Sequence, residues 1–411
     1  MTSGRTREPD VASLLADLAM ESTPSYRDDI VQRTARTRQR PAWMFPERWL
    51  PVDTTTQRVS IMPVRWRAIG VLLVLAALLI ATLVAVSVAT ERRLPAPPYG
   101  PAANGLIAYE ADGDIFLGDP TNGASRPIVS GSDDDMSPSF SRDGTHLFFL
   151  RAASATANHL MVAKADGSDV RVITPEPFIG ISGGDWSGDG RNLLIASVVN
   201  FRPSISIVDV ADGSVRTLDV GMSAWEPTFR PPDGRQIAFH VGEGSGAAVY
   251  VVDTDGGLPV KLADGGGATY SPDGSRIAYG RSYQPEVERN ETRVMDADGS
   301  NDHIVGDRPD IQYQGTSVWS PDGTKLLVFR ATDDRRLLLA AVPADGSGPG
   351  QEFDVGFNGF GDLGWSPDGN QIVSVSANEG DLATLVNLVD GTSRDVPRWY
   401  TDSWQRLAPS P

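Results

Sequence analysis

Six aspartates recur at intervals of 40–49 residues, a spacing that could bring several carboxylates together for acid–base or metal chemistry. They are Asp143, Asp189, Asp233, Asp273, Asp322 and Asp368. Each belongs to the tetrapeptide Ser-Pro-Asp-Gly or a variant of it, with an aromatic residue before it and an apolar run after it. In such turns Pro presets the backbone, Asp accepts bonds from nearby amides, and Gly adopts a positive φ. We therefore interpret these aspartates as turn residues rather than catalytic acids.

The other residues with catalytic or metal-binding potential predict no site. No pair at metal-ligand spacing occurs among the four histidines, His146, His159, His240 and His303. The chain has no cysteine, no phosphate-binding P-loop, and no α/β region after the repeats to carry a serine nucleophile elbow. The acidic loop Asp133-Asp134-Asp135 could hold a hard cation or could simply be solvated. We predict neither enzymatic activity nor a cofactor.

A second series of turns sets the number of repeats. Seven pairs of the Asn-Gly or Asp-Gly type each lie between two strand-like runs, beginning at Asn122, Asp166, Asp212, Asp255, Asp298, Asp345 and Asp390. A repeat of this length accommodates four short strands and their turns, which is one propeller blade. The sequence therefore predicts an all-β fold, a seven-bladed β-propeller of four-stranded antiparallel blades.

The two ends of the repeat region complement each other. The first hairpin, Leu106 to Asp119, has no aromatic-Ser-Pro-Asp-Gly strand before it, whereas residues 400–407 resemble the start of a repeat at the other end. Trp404 follows Trp365 by 39 residues, nearly one repeat. We expect this C-terminal strand to complete blade one and to leave no sheet edge open at the seam.

An uncharged run of 23 residues, 68–90, precedes the repeats. Thirteen of them are Ile, Leu or Val, and the run is long enough to cross about 30 Å of hydrocarbon, so we predict a single transmembrane helix. A buried core helix and a cleaved signal peptide are the alternatives. Four arginines close to the N-terminal side against two on the other favour a cytoplasmic N-terminus and an extracytoplasmic propeller at the cell membrane.

The segments on either side of the predicted helix differ in composition. Residues 1–67 have 11 basic and 8 acidic side chains and are expected to be partly helical or disordered; the rest of the chain has 25 basic and 45 acidic side chains. Such an acidic propeller is a poor binder of nucleic acid. Residues 91–103 are rich in proline and predict an extended stalk, and residues 104–407 hold the propeller.

Aromatic side chains occur in the connections that vary between repeats. These connections join neighbouring blades, or the second and third strands of one blade, and all emerge on the same face of a propeller. The candidate partner-binding residues there are Phe178, Trp225, Tyr283, Tyr313 and Phe360. They could form a surface for a protein, peptide or glycan, or they could cap the blades locally.

The repeated W/Y-S-P-D-G motifs, the strands that follow them and the D-A-D-G-S hairpins resemble the Pro-Asp β-propeller repeats of the TolB type, a branch of the WD-repeat-like propellers. The resemblance covers about residues 104–407. It implies an exported protein, and TolB itself is a periplasmic protein that binds envelope lipoproteins through its propeller. TolB has a small α/β domain before the propeller, where this chain has the predicted anchor and stalk.

These features together predict a single-pass membrane protein that displays a TolB-like propeller as a module for binding an envelope protein, a peptide or a glycan. One alternative is a transmembrane sensor whose cytoplasmic tail holds a partner, like an anti-sigma factor. A second is a hydrolase or lyase with its site in the propeller channel.

Overall fold

The computed structural model describes most of the repeat region and little of what precedes it. The described residues are 74–76, 95–181, 183–199, 202–283, 289–306, 318–331, 337–357, 363–375, 383–396 and 403–408. The chain divides into two units, Met1–Thr90 and Glu91–Pro411. Residues 74–76 are helical, and the described part of the chain contains no helix long and apolar enough to span a bilayer. The remainder of the predicted tail and transmembrane segment lies outside the described residues.

The strands of the second unit form seven antiparallel sheets, so the predicted seven-bladed propeller of four-stranded blades is confirmed. The first four blades, from the inner to the outer strand, consist of β29 (Trp404–Leu407), β1 (Ala103–Ala111), β2 (Asp114–Gly118) and β3 (Ser125–Val129); β4 (Asp135–Phe140), β5 (His146–Ser154), β6 (Ala157–Lys164) and β7 (Arg171–Val172); β9 (Gly183–Trp186), β10 (Asn192–Val199), β11 (Arg202–Asp209) and β12 (Val215–Leu218); and β13 (Ala224–Phe229), β14 (Gln236–Val241), β15 (Ala248–Asp253) and β16 (Val260–Asp264).

Blades 5 to 7 repeat the same order of strands. They consist of β17 (Gly266–Tyr270), β18 (Arg276–Tyr283), β19 (Arg289–Asp296) and β20 (His303–Ile304); β21 (Val318–Trp319), β22 (Lys325–Ala331), β23 (Leu337–Pro343) and β24 (Gln351–Phe357); and β25 (Leu363–Trp365), β26 (Gln371–Val375), β27 (Ala383–Asn387) and β28 (Ser393–Val396). A short strand β8 (Phe178–Ile179) pairs with β6, and a 3-10 turn occurs at Gly244–Gly246.

The propeller has two faces that differ in their connections. The turn face carries the Ser-Pro-Asp-Gly turns between the first and second strands and the Asp-Gly hairpins between the third and fourth. The loop face carries the connections between the second and third strands and those between blades. Seven apolar clusters fill the spaces between neighbouring blades, one at each junction.

The ring closes as predicted from the two ends of the repeat region. Strand β29 pairs antiparallel with β1, with Trp404 opposite Ile107 and Leu407 opposite Ala103. Trp404 is 6% exposed and packs between blades 7 and 1. The innermost strand of the first blade therefore comes from the C-terminal end of the sequence.

The repeated aspartates organise turns, as their residue type predicts. In blade 6 the Ser320 hydroxyl donates to Asp322 Oδ1 at 2.6 Å, and the Thr324 amide donates to the same oxygen at 3.0 Å. The Lys325 amide then donates to Ser320 Oγ at 2.9 Å. Burial by itself raises the pKa of the Asp322 carboxyl, but the hydroxyl and amide donors outweigh it and leave that pKa below its ordinary value. Blades 2, 3, 5 and 7 repeat the Ser–Asp bond.

Indole groups link successive inner strands. In three blades the tryptophan that precedes the turn donates its Nε1 hydrogen to a carbonyl of the previous inner strand. The pairs are Trp186 to Ser139 (3.3 Å), Trp319 to Thr269 (3.1 Å) and Trp365 to Val318 (3.1 Å). The aromatic position of the repeat therefore contributes a polar link between blades as well as apolar surface.

Cationic and imidazole side chains of the outer strands form a second kind of link between blades. Each bonds to a carbonyl in or beside the outer hairpin of the next blade. The pairs are Arg171 to Val210 (2.6 Å), Arg216 to Thr254, His303 to Ala344 (3.1 Å), and Arg394 to Pro120 across the ring closure. The outer rim is thus joined by hydrogen bonds that the sequence pattern did not indicate.

The proline-rich segment before β1 packs along the turn face. Residues 95–100 form neither helix nor strand, but the Ala96 amide donates to the Asp143 carbonyl at 3.2 Å. Arg406 donates to the carbonyls of Pro97, at 3.0 Å, and Gly100. Burial, followed by the nearby Arg142, lowers the pKa of Arg406 to about 10. The described part of the segment predicted to form an extended stalk therefore contacts the propeller.

Candidate functional site

The five aromatic residues predicted to bind a partner differ in their surroundings, and the side chains of three of them lie outside the described residues. Phe178 is half-buried and packs against the apolar cluster between blades 2 and 3. Trp225 is half-buried in β13, the inner strand of blade 4. Tyr283 ends β18, but its side chain is outside the described residues, as are Tyr313 and Phe360. Of the five, Trp225 is the one whose surroundings define a possible site.

Among the described residues, three inner strands have a bulge near the loop face. In blade 4, Trp225 lies opposite His240 and Thr228 opposite Ala238, so Glu226 and Pro227 together face a single residue. Blades 2 and 5 show the same shift of register. The bulged residues Ser137, Glu226 and Gly267 have φ values of 52°, 47° and 64°. A bulge with positive φ redirects its side chain, so Glu226 is exposed between the half-buried Trp225 and the buried Pro227.

Glu226 and its neighbours form a small mixed site at the junction of blades 4 and 5. Glu226 Oε2 lies 3.8 Å from His240 Nδ1, and the two side chains are 43% and 15% exposed. Trp225 is the cross-strand partner of His240. A Cβ on Gly266 would lie 3.3 Å from the His240 ring, so blade 5 approaches the ring closely. We call Trp225, Glu226 and His240 the blade-4 site.

His240 acts as a neutral acceptor in the blade-4 site. The Gly267 amide of the next blade points at His240 Nδ1 at 3.4 Å, which places the ring proton on Nε2. Burial lowers the pKa of His240, and the opposing effect of Glu243 is smaller. Although His240 and Glu226 are close enough for an ion pair, the imidazole is uncharged near neutral pH. We therefore do not count this contact as a salt bridge.

No described hydrogen-bond donor contacts the Glu226 carboxylate, unlike the carboxylates of other acids in the propeller. Burial raises the pKa of Glu226, and no other influence accompanies it. Among the described residues no donor forms a hydrogen bond with this carboxylate. By contrast, the buried Asp135 receives two bonds from Arg151, at 2.7 and 2.8 Å. Asp135, which could have contributed to a cation site in the acidic loop, is therefore already neutralised by Arg151.

Other charged side chains at the blade 4–5 junction are paired with one another. Arg293 donates to Glu291 at 2.8 Å and to Asp302 at 2.9 Å, and the Tyr279 hydroxyl donates to Asp302. Arg281 lies 4.0 Å from Asp264. Within the described parts of the chain, no three carboxylate or histidine side chains are placed to bind a metal ion together. These pairs stabilise the junction, whereas no described donor bonds the Glu226 carboxylate.

Sequence reasoning identified Trp225 but missed Glu226 and His240. Glu226 occurs in Ala-Trp-Glu-Pro-Thr-Phe, which aligns with Asp-Met-Ser-Pro-Ser-Phe of blade 2. In both segments the proline follows the bulged residue, and this was the available signal. His240 resembles any other strand histidine until the partner strand and the next blade are known.

Comparison with known proteins supports the fold and a local relationship. No family model matches the chain. The Tol-Pal system protein TolB of Anaeromyxobacter dehalogenans is 31% identical over 113 residues, 28% of this chain and 26% of TolB. The uncharacterized peptidase YuxL of Bacillus subtilis is 23% identical over 175 residues, 40% of this chain and 24% of YuxL. The chain thus spans about a quarter of the length of these curated relatives.

A solved structure with a similar fold is an oligogalacturonate lyase in complex with manganese. Its TM-score is 0.52 at 14% identity, covering 73% of this chain and 86% of the lyase. Such low identity supports the fold alone. The chain is therefore a seven-bladed β-propeller that is similar to TolB proteins over about a quarter of its length.

Proposed function

We propose that this chain is a single-pass membrane protein that displays its propeller outside the cytoplasm as a binding module, without enzymatic activity. The observation that carries the proposal is the blade-4 site, where an exposed bulge presents Trp225 and the unpaired Glu226 on the loop face. Tryptophan is enriched among the residues that dominate binding at interfaces. A protein partner from the cell envelope, a peptide or a glycan fits this surface, with Tyr283, Tyr313 and Phe360 as further candidates.

The attachment of the chain supports the loop face as the binding face. Residues 95–100 run along the turn face, and hydrogen bonds to Arg406 and Asp143 hold them there. The turn face is therefore partly covered by the chain itself, whereas the blade-4 site lies on the opposite face. The TolB relatives belong to the Tol-Pal system, and binding of an envelope protein by this chain is inferred by analogy with them.

Photo-crosslinking in intact cells tests the binding role. We expect a chain with a crosslinker near Trp225 to capture a specific envelope partner, and the combined change of Trp225, Tyr313 and Phe360 to Ala to abolish capture. Leu258→Ala is the matched control, because Leu258 is a 93% exposed apolar residue in the outer hairpin of the turn face. Equal capture by the triple variant and the control would contradict the proposal.

The predicted topology has a direct test because the natural chain contains no cysteine. Single cysteines at Ser3 and at Leu258 can be labelled in intact cells with a maleimide that does not cross membranes. We expect labelling at Leu258 and none at Ser3 until the cells are lysed. Labelling at both positions, or at neither, would contradict the proposed single span.

A further inference from the structure

The chemistry of the blade-4 site allows the partner to be specified further, on the basis of the proposed binding function. The starting point is a carboxylate at 43% side-chain exposure that is partly desolvated and has no hydrogen-bond donor among the described residues. Removing a charge from water without a partner costs free energy. A ligand that supplies a compensating positive charge recovers this cost on binding.

The immediate neighbours of Glu226 do not supply that charge. His240 is neutral, and its Nδ1 is engaged as an acceptor of the Gly267 amide. Arg281 lies beside Asp264 and has a further contact, and Arg293 is bound by Glu291 and Asp302. No described cation is therefore left to neutralise Glu226 in the free protein.

Trp225 adds the second feature that a cationic group requires. It directly precedes Glu226 at the bulge and is half-buried, so its ring is partly accessible. A guanidinium or ammonium group gains from contact with an indole face as well as from a carboxylate. A bare metal ion is not favoured, because no group of three suitable ligands occurs among the residues that the structure describes.

The backbone at Glu226 is unfavourable for a residue other than glycine, but Ser137 adopts a similar φ of 52° at the equivalent bulge of blade 2, so the carboxylate rather than the backbone distinguishes Glu226. A φ of 47° on a residue other than glycine is strained, and such strain is concentrated at functional positions. At the same place in blade 5 the chain uses Gly267, which adopts a φ of 64° without strain. The fold therefore accepts glycine at this position and does not itself require a carboxylate.

We propose that Trp225 and Glu226 bind a positively charged side chain, arginine or lysine, on a protein partner. The net charge of the residues after position 67, with 45 acidic and 25 basic side chains, would steer a basic surface toward the propeller. Many acids in the turns are engaged by their own hydroxyl and amide donors, as at Asp322 and Asp368, whereas the Glu226 carboxylate has no described donor.

The test uses the full chain in mild detergent, labelled with 5-fluorotryptophan and observed by ¹⁹F NMR. The Trp225 resonance is assigned by its loss in Trp225→Phe. The probes are N-acetyl-arginine amide, N-acetyl-lysine amide and N-acetyl-citrulline amide, the last being a neutral isostere of the first. We expect saturable shifts of the Trp225 resonance with the arginine probe, the lysine probe or both, and none with citrulline.

The variants separate the charge of Glu226 from its structural role. Losing a charged hydrogen bond weakens binding about tenfold, so Glu226→Gln should raise the Kd of the cationic probe by about that factor. Glu176→Gln, which removes an exposed carboxylate from another loop of the same face, should leave the Kd unchanged. Glu226→Gly should abolish the charge effect while the chain remains at least as resistant to urea as before.

The outcomes distinguish this inference from the proposed function. Equal shifts with the arginine and citrulline probes, or an unchanged Kd in Glu226→Gln, would overturn the inference, even if crosslinking still captured a partner. Charge-dependent binding of the probes without any captured partner in cells would support the cation site and count against the binding role in the envelope. Loss of urea resistance in Glu226→Gly would show that the carboxylate serves the fold, which also overturns the inference.

Discussion

Closure of the ring by the C-terminal strand leads to a quantitative prediction for Trp404. The side chain is 6% exposed and packs against Ile107 of blade 1 and against Val373 and Leu385 of blade 7. Replacing a buried tryptophan with alanine typically costs about 3–5 kcal/mol, because the surrounding residues cannot fill the cavity. Since domains are stable by about 5–15 kcal/mol, Trp404→Ala should remove a large share of the free energy of unfolding.

A comparison with Trp365 separates the apolar from the polar contribution. The Trp365 Nε1 hydrogen bonds the Val318 carbonyl at 3.1 Å, whereas Trp404 Nε1 is buried and has no partner among the described residues. Both rings are at least 92% buried, as their exposures are 8% and 6%. Trp365→Phe should therefore cost about 1 kcal/mol more than Trp404→Phe, the usual value of one hydrogen bond.

The measurement is urea unfolding of the full chain, followed by circular dichroism near 215 nm. The slope of the free energy of unfolding against urea concentration is compared between variants. Val389→Ala, at a residue that is 78% exposed, is the control and should change the free energy of unfolding by less than about 0.5 kcal/mol. Removal of residues 400–411 should broaden the transition, because blade 1 loses its inner strand and its edge opens. A loss below about 1 kcal/mol for Trp404→Ala, together with an unchanged transition in the truncated chain, would refute the closure argument.

Three further predictions concern the turns and the blade-4 site. Gly274→Ala should destabilise the chain by more than about 1 kcal/mol, because its φ is 69° and a Cβ would lie 1.9 Å from the Pro231 carbonyl oxygen. Gly256 has a φ of 98° and open space around it, so urea titration of Gly256→Ala measures the cost of the backbone conformation without a steric clash. The pKa of Asp322 is lowered in the folded state, so the ionised carboxylate stabilises the fold above pH of about 4, and this contribution disappears as the pH falls through the folded pKa. The difference in free energy of unfolding between wild type and Asp322→Asn should therefore narrow as the pH is lowered. The His240 pKa is also lowered in the folded state, so the unfolded chain binds the proton more readily and the stability of the wild type should fall below pH of about 6.5. Melting temperatures measured across this range should fall less in His240→Gln than in the wild type.

The sequence was sufficient for features that depend on neighbouring residues in one repeat. The turn at Asp322 follows from the local bonding of Ser, Asp and Gly, and the strand beginning at Trp404 follows from the spacing of aromatic residues. The first is encoded within a few residues, and the second within the spacing of one repeat. Repetition of these local patterns was enough to predict seven blades and the source of the missing inner strand.

Features that join different blades could not be predicted in the same way. The bond from Arg216 to the Thr254 carbonyl depends on how the outer strands of two blades are placed. The packing of residues 95–100 on the turn face depends on Arg406, which lies about 300 residues further along the chain. The bulge at Glu226 becomes visible only when the register between β13 and β14 is known. These contacts are long-range, and a single sequence contains no spacing that identifies them.

The distribution of polar partners explains why recognition is assigned to the loop face. On the turn face, hydroxyl and amide groups of the same turns bond carboxylates such as Asp322, and the segment before β1 covers part of the surface. On the loop face, Glu226 combines backbone strain with partial desolvation and no described donor. Both properties oppose folding, and Gly267 shows that the fold does not need them. The cation site that we propose gives a reason for keeping a residue that the scaffold would do better without, because natural proteins retain such costs chiefly where function requires them.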